Sequence, residues 1–304
     1  MKTVLVTGGN GLLGQKVVYD LVGREGVRCI STGLGKNRMA LKEGYVYQEL
    51  DVTDRAAVLA AMERWRPDAV VHTAALTNVD ACEQRREEAV LINVTAVHQL
   101  AEICRDFGTH LVHLSTDFVF DGNDGPYAES DPLHPLSHYA VTKAEGERRV
   151  MEAGGSWSIL RTIIIYGVVD DNSRSNVVLW VYNALKQGRE ITVIKDQFRS
   201  PTLAEDLARA CVSAALSRSQ GIYHVSGRET MCILDMALIV ADFFGLDPSP
   251  IRPIASAELR QPALRPPVTG FIIRKAEREL DFRPSTFLEG LAVVKKQLLV
   301  FGDS

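Results

Sequence analysis

Three glycines at Gly-x-x-Gly-x-x-Gly spacing, Gly8, Gly11 and Gly14, constrain this chain more than any other feature. They separate an apolar β-branched run, residues 4–7, from an amphipathic run, residues 12–21. That order predicts a strand, a tight turn and a helix. The helix then begins with unpaired backbone N–H groups facing outward, a ready site for an anion. Glycine suits such a turn because it allows close backbone approach and unusual φ.

The unit repeats along the chain. Strand-like runs are expected at residues 27–31, 45–50, 69–72, 110–115 and 158–166. Helices are expected from Thr53/Asp54 to Arg64, then over 87–107 and 139–152. Strands that are apolar almost throughout, alternating with helices, imply a parallel sheet covered on both faces. We therefore expect an α/β, Rossmann-type doubly wound sheet. After Gly167 the alternation breaks, with a polar turn at 170–175. Helices at 176–186 and 203–216, strands at 191–194 and 221–225, and late helices at 274–280 and 287–298 follow. Dense prolines over 248–267 read as extended loop. The expected division is a dinucleotide-binding domain at 1–167, with returns near 203–225, and a smaller, mainly substrate-binding lobe at 168–304.

Composition excludes several classes. The 304 residues are 46% hydrophobic with net charge -4, so no basic surface for nucleic acid is expected. No apolar run is long enough to span a bilayer. The first residues enter a strand directly, without the apolar stretch of a signal peptide. Five scattered cysteines, without a Cys-x-x-Cys pair, fit a reducing, cytoplasmic setting and suggest no metal. The apolar end at 298–301 is expected to pack on its own domain.

Chemistry concentrates in a few places. The turn itself, Gly8, Asn10, Gly11, Leu12, Leu13 and Gly14, is expected to hold a dinucleotide pyrophosphate. The second strand ends at Ser31-Thr32-Gly33 without the acid that binds a free ribose 2′-hydroxyl. Lys36 and Arg38 follow, and cations suit a 2′-phosphate, so NADPH is expected, with NADH as second choice. Asp51-Val52 either meets the adenine edge or belongs to a helix-start turn. Tyr139 and Lys143 lie four apart on a helix, hence on one face. A free phenol titrates near ~10, and a nearby cation brings it toward the working range. His72, His113 and His138 are expected to be structural.

The glycine turn, the Ser115-Thr116 strand end and Tyr-x-x-x-Lys together resemble the extended short-chain dehydrogenases/reductases. Ala74-Ala75-Leu76-Thr77-Asn78-Val79-Asp80, Ser115-Thr116-Asp117-Phe118-Val119-Phe120-Asp121-Gly122, Asp196-Gln197-Phe198-Arg199-Ser200-Pro201-Thr202 and Gly221-Ile222-Tyr223-His224 resemble the dTDP-4-dehydrorhamnose reductase family. Leu264-Arg265-Pro266-Pro267 and the run from Asp242 to Leu246 are similar to the regulatory β subunit of methionine adenosyltransferase. The resemblance implies NADPH-dependent reduction of a nucleotide-linked 4-keto-6-deoxy sugar. It makes Tyr139 the proton donor and Lys143 the residue that tunes it and holds the nicotinamide ribose. Thr116, with Ser115 as neighbour, would donate to the substrate oxygen. Ala74 and Ala75 would flank the cofactor, and Asn93 would stand near the site. Thr77, Asn78, Val79, Thr116, Ile164, Arg199 and Pro201 would contact substrate, with Thr202 on the same far wall. Asp80 and Glu83 match an interfacial metal position of some members, though nothing in their spacing demands one. The alternatives are a non-catalytic, NADP-binding regulatory subunit, or an epimerase or reductase of another nucleotide sugar. A nucleotide-sugar partner and a homodimer fit the same resemblance.

One departure matters. Where the reductase family carries Arg-Thr-Ser-Trp-Val-Tyr, this chain has Arg161-Thr162-Ile163-Ile164-Ile165-Tyr166. Ile164 cannot offer the stacking surface of a tryptophan to a sugar.

Overall fold

The computed structural model describes residues 1–171, 175–259 and 261–301. Its strands are β1 (Lys2–Thr7), β2 (Val27–Gly33), β3 (Tyr45–Glu49), β4 (Ala69–His72), β5 (His110–Thr116), β6 (Trp157–Thr162), β7 (Ile165–Tyr166), β8 (Ile191–Ile194), β9 (Phe198–Arg199), β10 (Thr202–Leu203), β11 (Gly221–His224), β12 (Met231–Cys232) and β13 (Ile251–Ile254). Its helices are α1 (Leu12–Val22), α2 (Arg55–Trp65), α3 (Val79–Gln84), α4 (Arg86–Val90), α5 (Ala96–Asp106), α6 (His138–Ala153), α7 (Val177–Lys186), α8 (Ala204–Ser217), α9 (Ile233–Phe244), α10 (Arg274–Glu279) and α11 (Phe287–Phe301).

Seven strands form one sheet in the order β3-β2-β1-β4-β5-β6-β11, all neighbours parallel. The order reverses between β1 and β4, where open α/β sheets bind ligands at their carboxyl ends. Alternation along β1 sends Val4 and Val6 to one face, packed with Val17 of α1 and Leu207 of α8. Leu5 faces the other side, with Met62 of α2, Leu100 of α5 and Val150 of α6. Helix starts follow local chemistry: Asp54 caps α2 by accepting from the N–H groups of Ala56 and Ala57, and Ser137 caps α6 by accepting from Ala140.

A separate core belongs to the C-terminal half. Tyr166, Val178, Val181, Leu185, Val193, Met236, Val240, Phe287 and Leu291 bury one another among α7, α9, α11 and β8. β11 pairs in parallel with β6, and α8 packs its apolar face into the main core. A further return was not foreseen: Ile273, Ala276, Leu280 and Phe282 pack into the main core through α10.

Several expectations change in detail. The strand expected over 158–166 breaks into β6 and β7, because Ile164 turns to φ 29° between them. The proline-rich stretch is not all loop: β13 pairs in parallel with β8. The expected helix over 87–107 carries a π-helical turn at Leu91–Thr95, and α3 precedes it. At the C-terminus Leu298 packs on the second core, but Leu299 and Val300 are exposed rather than docked. Of the expected turn at 170–175, residues 172–174 lie outside the described residues. All five cysteines are free and buried. Among the described residues no helix is long and apolar enough to cross a membrane.

A candidate dinucleotide and carbonyl site

A cleft of about 430 Å³ opens at the switch between β1 and β4. The glycine turn forms one wall, through Gly11, Leu12, Leu13 and Gly14. Its glycines answer to crowding. Gly8 has φ 70°, and a Cβ there would lie 2.7 Å from the backbone nitrogen of Ala74. A Cβ on Gly14 would drive into the carbonyl oxygen of Gly8. The turn is tied by Gly11 N–H to Gly8 O at 2.8 Å and Gly9 N–H to Thr32 O at 2.8 Å. Leu12 and Gly14 open α1 with no acidic side chain in its first turn and no side-chain cap. That geometry fits a dinucleotide pyrophosphate.

Asn10 shapes the adjoining loop rather than the cleft. Its amide donates to the carbonyls of Leu34 and Lys36, each at 3.1 Å, and its oxygen accepts from Arg38 N–H at 3.0 Å. The side chains of Lys36 and Arg38 are exposed beside the end of β2, where a ribose phosphate would lie. Thr32 is buried and its hydroxyl donates to Val6 O at 3.1 Å, so only its backbone faces the turn. Asp51 is exposed and its Oδ1 accepts from the N–H and the hydroxyl of Thr53 at 2.9 and 2.7 Å, which forms a helix-start turn. Val52, half-buried, sits in that same turn. Ala74 and Ala75 line the cleft.

The opposite wall carries Thr116 at the end of β5 and Tyr139 and Lys143 on α6. All three are buried. Lys143 Nζ donates to Leu114 O at 2.6 Å, and burial lowers its pKa to about 8, opposed by the negative Glu147 one turn on. Burial pushes the Tyr139 phenol upward, opposed by the hydroxyl of Thr116. The phenol is thus raised above its ordinary value, where a lowering was expected. Ser115, also on the cleft, has a buried hydroxyl without a protein partner.

Of the residues expected to meet substrate, Thr77, Val79, Thr116 and Ile164 line the cleft. Asn78 instead caps α3, accepting from Ala81 N–H at 2.8 Å. Arg199 does not face the cleft. It is buried, pairs with Asp117 and donates to the carbonyls of Phe198, Pro266 and Pro267. Pro201 and Thr202 are buried as well, Thr202 donating to Ile163 O at 2.7 Å. Asn93 is buried and staples Leu76, its oxygen accepting from Leu76 N–H at 2.9 Å and its amide donating to Leu76 O at 3.0 Å. Asp80 and Glu83 already have protein partners: Arg265 at 2.8 Å, and Arg86 at 2.7 Å with the His138 N–H. His72 and His113 stack at 5.7 Å, both buried and held neutral by burial.

Sequence reasoning missed Asp117, Phe118, Ser175 and Asn176 on the cleft. The first two follow a strand's carboxyl end, the place where such sheets collect ligand groups. Asn176 was expected only as the first residue of a helix; it caps α7, accepting from Leu179 N–H at 3.2 Å.

A parallel sheet in this order, a glycine turn at its switch point and a Thr–Tyr–Lys cluster in the same cleft define an extended short-chain dehydrogenase/reductase. More narrowly, the chain belongs to the family described as RmlD substrate binding domain, which matches residues 1–300. It is 35% identical over 268 residues to a dTDP-4-keto-6-deoxy-D-glucose reductase of Streptomyces niveus, covering 87% of this chain and 86% of that one. It is 33% identical over 258 residues to methionine adenosyltransferase 2 subunit beta of Xenopus laevis, covering 83% and 75%. The crystal structure of a dTDP-4-dehydrorhamnose reductase from Clostridium acetobutylicum superposes with a TM-score of 0.85 at 28% identity, over 98% and 99% of the two chains. That of a Bacillus anthracis dTDP-4-dehydrorhamnose reductase, in complex with NADP, gives 0.83 at 27%, over 98% and 100%.

Proposed function

We propose that this protein uses NADPH to reduce the keto group of a nucleotide-linked 4-keto-6-deoxy sugar. The convergence of Thr116, Tyr139 and Lys143 on one cleft with the glycine turn carries this reading. The nicotinamide supplies the hydride. Gly8, Gly11 and Gly14 admit the pyrophosphate to the N-terminus of α1, and Lys36 and Arg38 meet the 2′-phosphate. Tyr139, kept protonated by burial, gives its phenolic proton to the carbonyl oxygen as negative charge builds there. Lys143 holds the nicotinamide ribose and places a positive charge beside the phenol. Thr116 shares the same oxygen. Thr77, Val79 and Ile164 form the sugar wall, and the lobe after residue 167 supplies most of the remaining substrate surface.

The Bacillus anthracis relative in complex with NADP and the Streptomyces niveus reductase support this reading. Two observations favour a second one, a non-catalytic NADP-binding subunit: Ile164 in place of a stacking aromatic, and the likeness to a methionine adenosyltransferase subunit. NADPH oxidation against a panel of nucleotide-linked keto sugars separates them. Turnover of a 4-keto-6-deoxy sugar is expected. No turnover, with NADPH binding retained and an enzyme co-purifying, would sink the reductase reading.

A further inference from the structure

Asp117 stands between the catalytic cluster and the smaller lobe, and its two oxygens face different elements. Thr116 Oγ1 donates to Oδ1 at 3.1 Å. Thr269 Oγ1 donates to Oδ2 at 2.5 Å, and Arg199 Nε lies 3.6 Å from the same atom. All of these side chains are buried. Arg199 is itself fixed to the strap at 265–269, donating to Pro266 O at 2.5 Å and Pro267 O at 3.2 Å. Its guanidinium also lies 5.5 Å from the Phe118 ring, which meets Tyr139 edge-on at 6.0 Å. Burial raises the pKa of Asp117; Arg199 and the two hydroxyl donors oppose that rise and favour the ionised carboxylate, which only accepts hydrogen bonds.

A hydroxyl has one proton and two lone pairs. With Asp117 Oδ1 taking its proton and Phe118 N–H taking a lone pair at 3.2 Å, the Thr116 hydroxyl is held in one orientation on the cleft it shares with Tyr139. We propose that Asp117 is a positioning residue: clamped by Arg199 and Thr269 from the smaller lobe, it fixes the Thr116 hydroxyl. The state of the strap is thereby coupled to the Thr116–Tyr139 pair. Thr116 is thereby held where its hydroxyl proton can pass from Asp117 to the substrate carbonyl oxygen that Tyr139 protonates. This coupling rests on the reductase reading, whereas the clasp between strap and sheet does not.

Thr269 lies outside the cleft lining, which makes it the place to test. Thr269→Val removes one donor to Asp117; Thr269→Ser keeps it. We expect Thr269→Val to lower kcat about tenfold, with the KM of the keto sugar and NADPH affinity within twofold, and Thr269→Ser to restore kcat. In a Thr116→Val background, Thr269→Val is expected to change kcat less than twofold. A full tenfold loss in that background, or an equal loss of NADPH affinity, overturns the coupling. Hydrogen exchange over 265–271 is the readout independent of turnover. It should quicken in Thr269→Val and not in Thr269→Ser; unchanged exchange overturns the clasp. A wild-type protein that reduces no keto sugar removes the functional reading and the coupling, and leaves the clasp to be judged by exchange. Should Thr269→Val not fold, Asp117→Asn provides the same contrasts with Asp117→Glu as the conservative partner.

Discussion

Tyr139 and Lys143 share one face of α6, yet burial moves their proton affinities in opposite directions. A phenol raised by burial is a resting donor, which a carbonyl reduction needs. Tyr139→Phe keeps the ring and removes the proton, so turnover should fall by ~10²–10⁴ while NADPH affinity, followed by fluorescence, changes little. Lys143, with its pKa lowered to about 8, loses its ammonium as pH rises through that value. The kcat/KM of the keto sugar should therefore decline above about pH 8. Lys143→Arg, which stays charged, should push that limb upward; an unmoved limb assigns it to another group. Ile164 belongs to the same scale. At φ 29° a β-branched residue is strained, and it lines the cleft. Ile164→Ala should raise the KM of the keto sugar about fivefold and leave NADPH affinity alone. Residue types such as Tyr139 were legible because their chemistry is local. The destination of Arg199 was not, since its partners Asp117 and Pro266 are remote in sequence and only the folded strap unites them.

Elements carry these groups with different rigidity. Helix α6 is bolted to β6 by a bidentate pair, Arg161 Nε to Glu147 Oε1 at 2.9 Å and Nη2 to Oε2 at 2.7 Å, fully buried. Losing one partner strands a charge, so Glu147→Gln should weaken folding by about 3–5 kcal/mol in urea titrations. Because Glu147 raises the pKa of Lys143, the same variant should shift the alkaline limb to lower pH. The π-helical turn at Leu91–Thr95 serves the cleft instead, since there Asn93 leaves its helix to hold Leu76, next to Thr77 on the cleft wall. Asn93→Ala should raise the KM of the keto sugar more than it weakens NADPH binding. Long elements with clean periodicity, such as α1 and β5, could be read from the chain because their pattern is self-contained. β9, β10 and β12 are two residues each and owe their pairing to distant partners, so no local pattern marked them.

At the scale of the whole molecule, the sheet buries histidines that water would otherwise charge. The pKa values of His72 and His224 fall to about 3 and that of His110 to about 4, with His113 also well below its usual value, all chiefly through burial. An unfolded chain protonates them near ~6.5. Between those values the unfolded state binds more protons, so stability is full above about pH 6.5 and drains as pH falls. Each such group contributes about 1.4 kcal/mol per pH unit inside its window. Urea midpoints at pH 7.5, 6 and 5 should drop steeply. His113→Leu, which removes a ring with both nitrogens unpartnered, should shallow that slope. An unchanged slope would mean that carboxylates govern acid unfolding. The glycine turn carries a last consequence, for how such a protein can be altered. Gly8 and Gly14 are pinned by backbone atoms, so no single side-chain change nearby could make room for a replacement. Thr77, Phe118 and Ile164, by contrast, line the cleft without being pinned in that way. An engineer, or descent with modification, can rewrite the guest list one residue at a time while the cradle that serves every guest stays as it is.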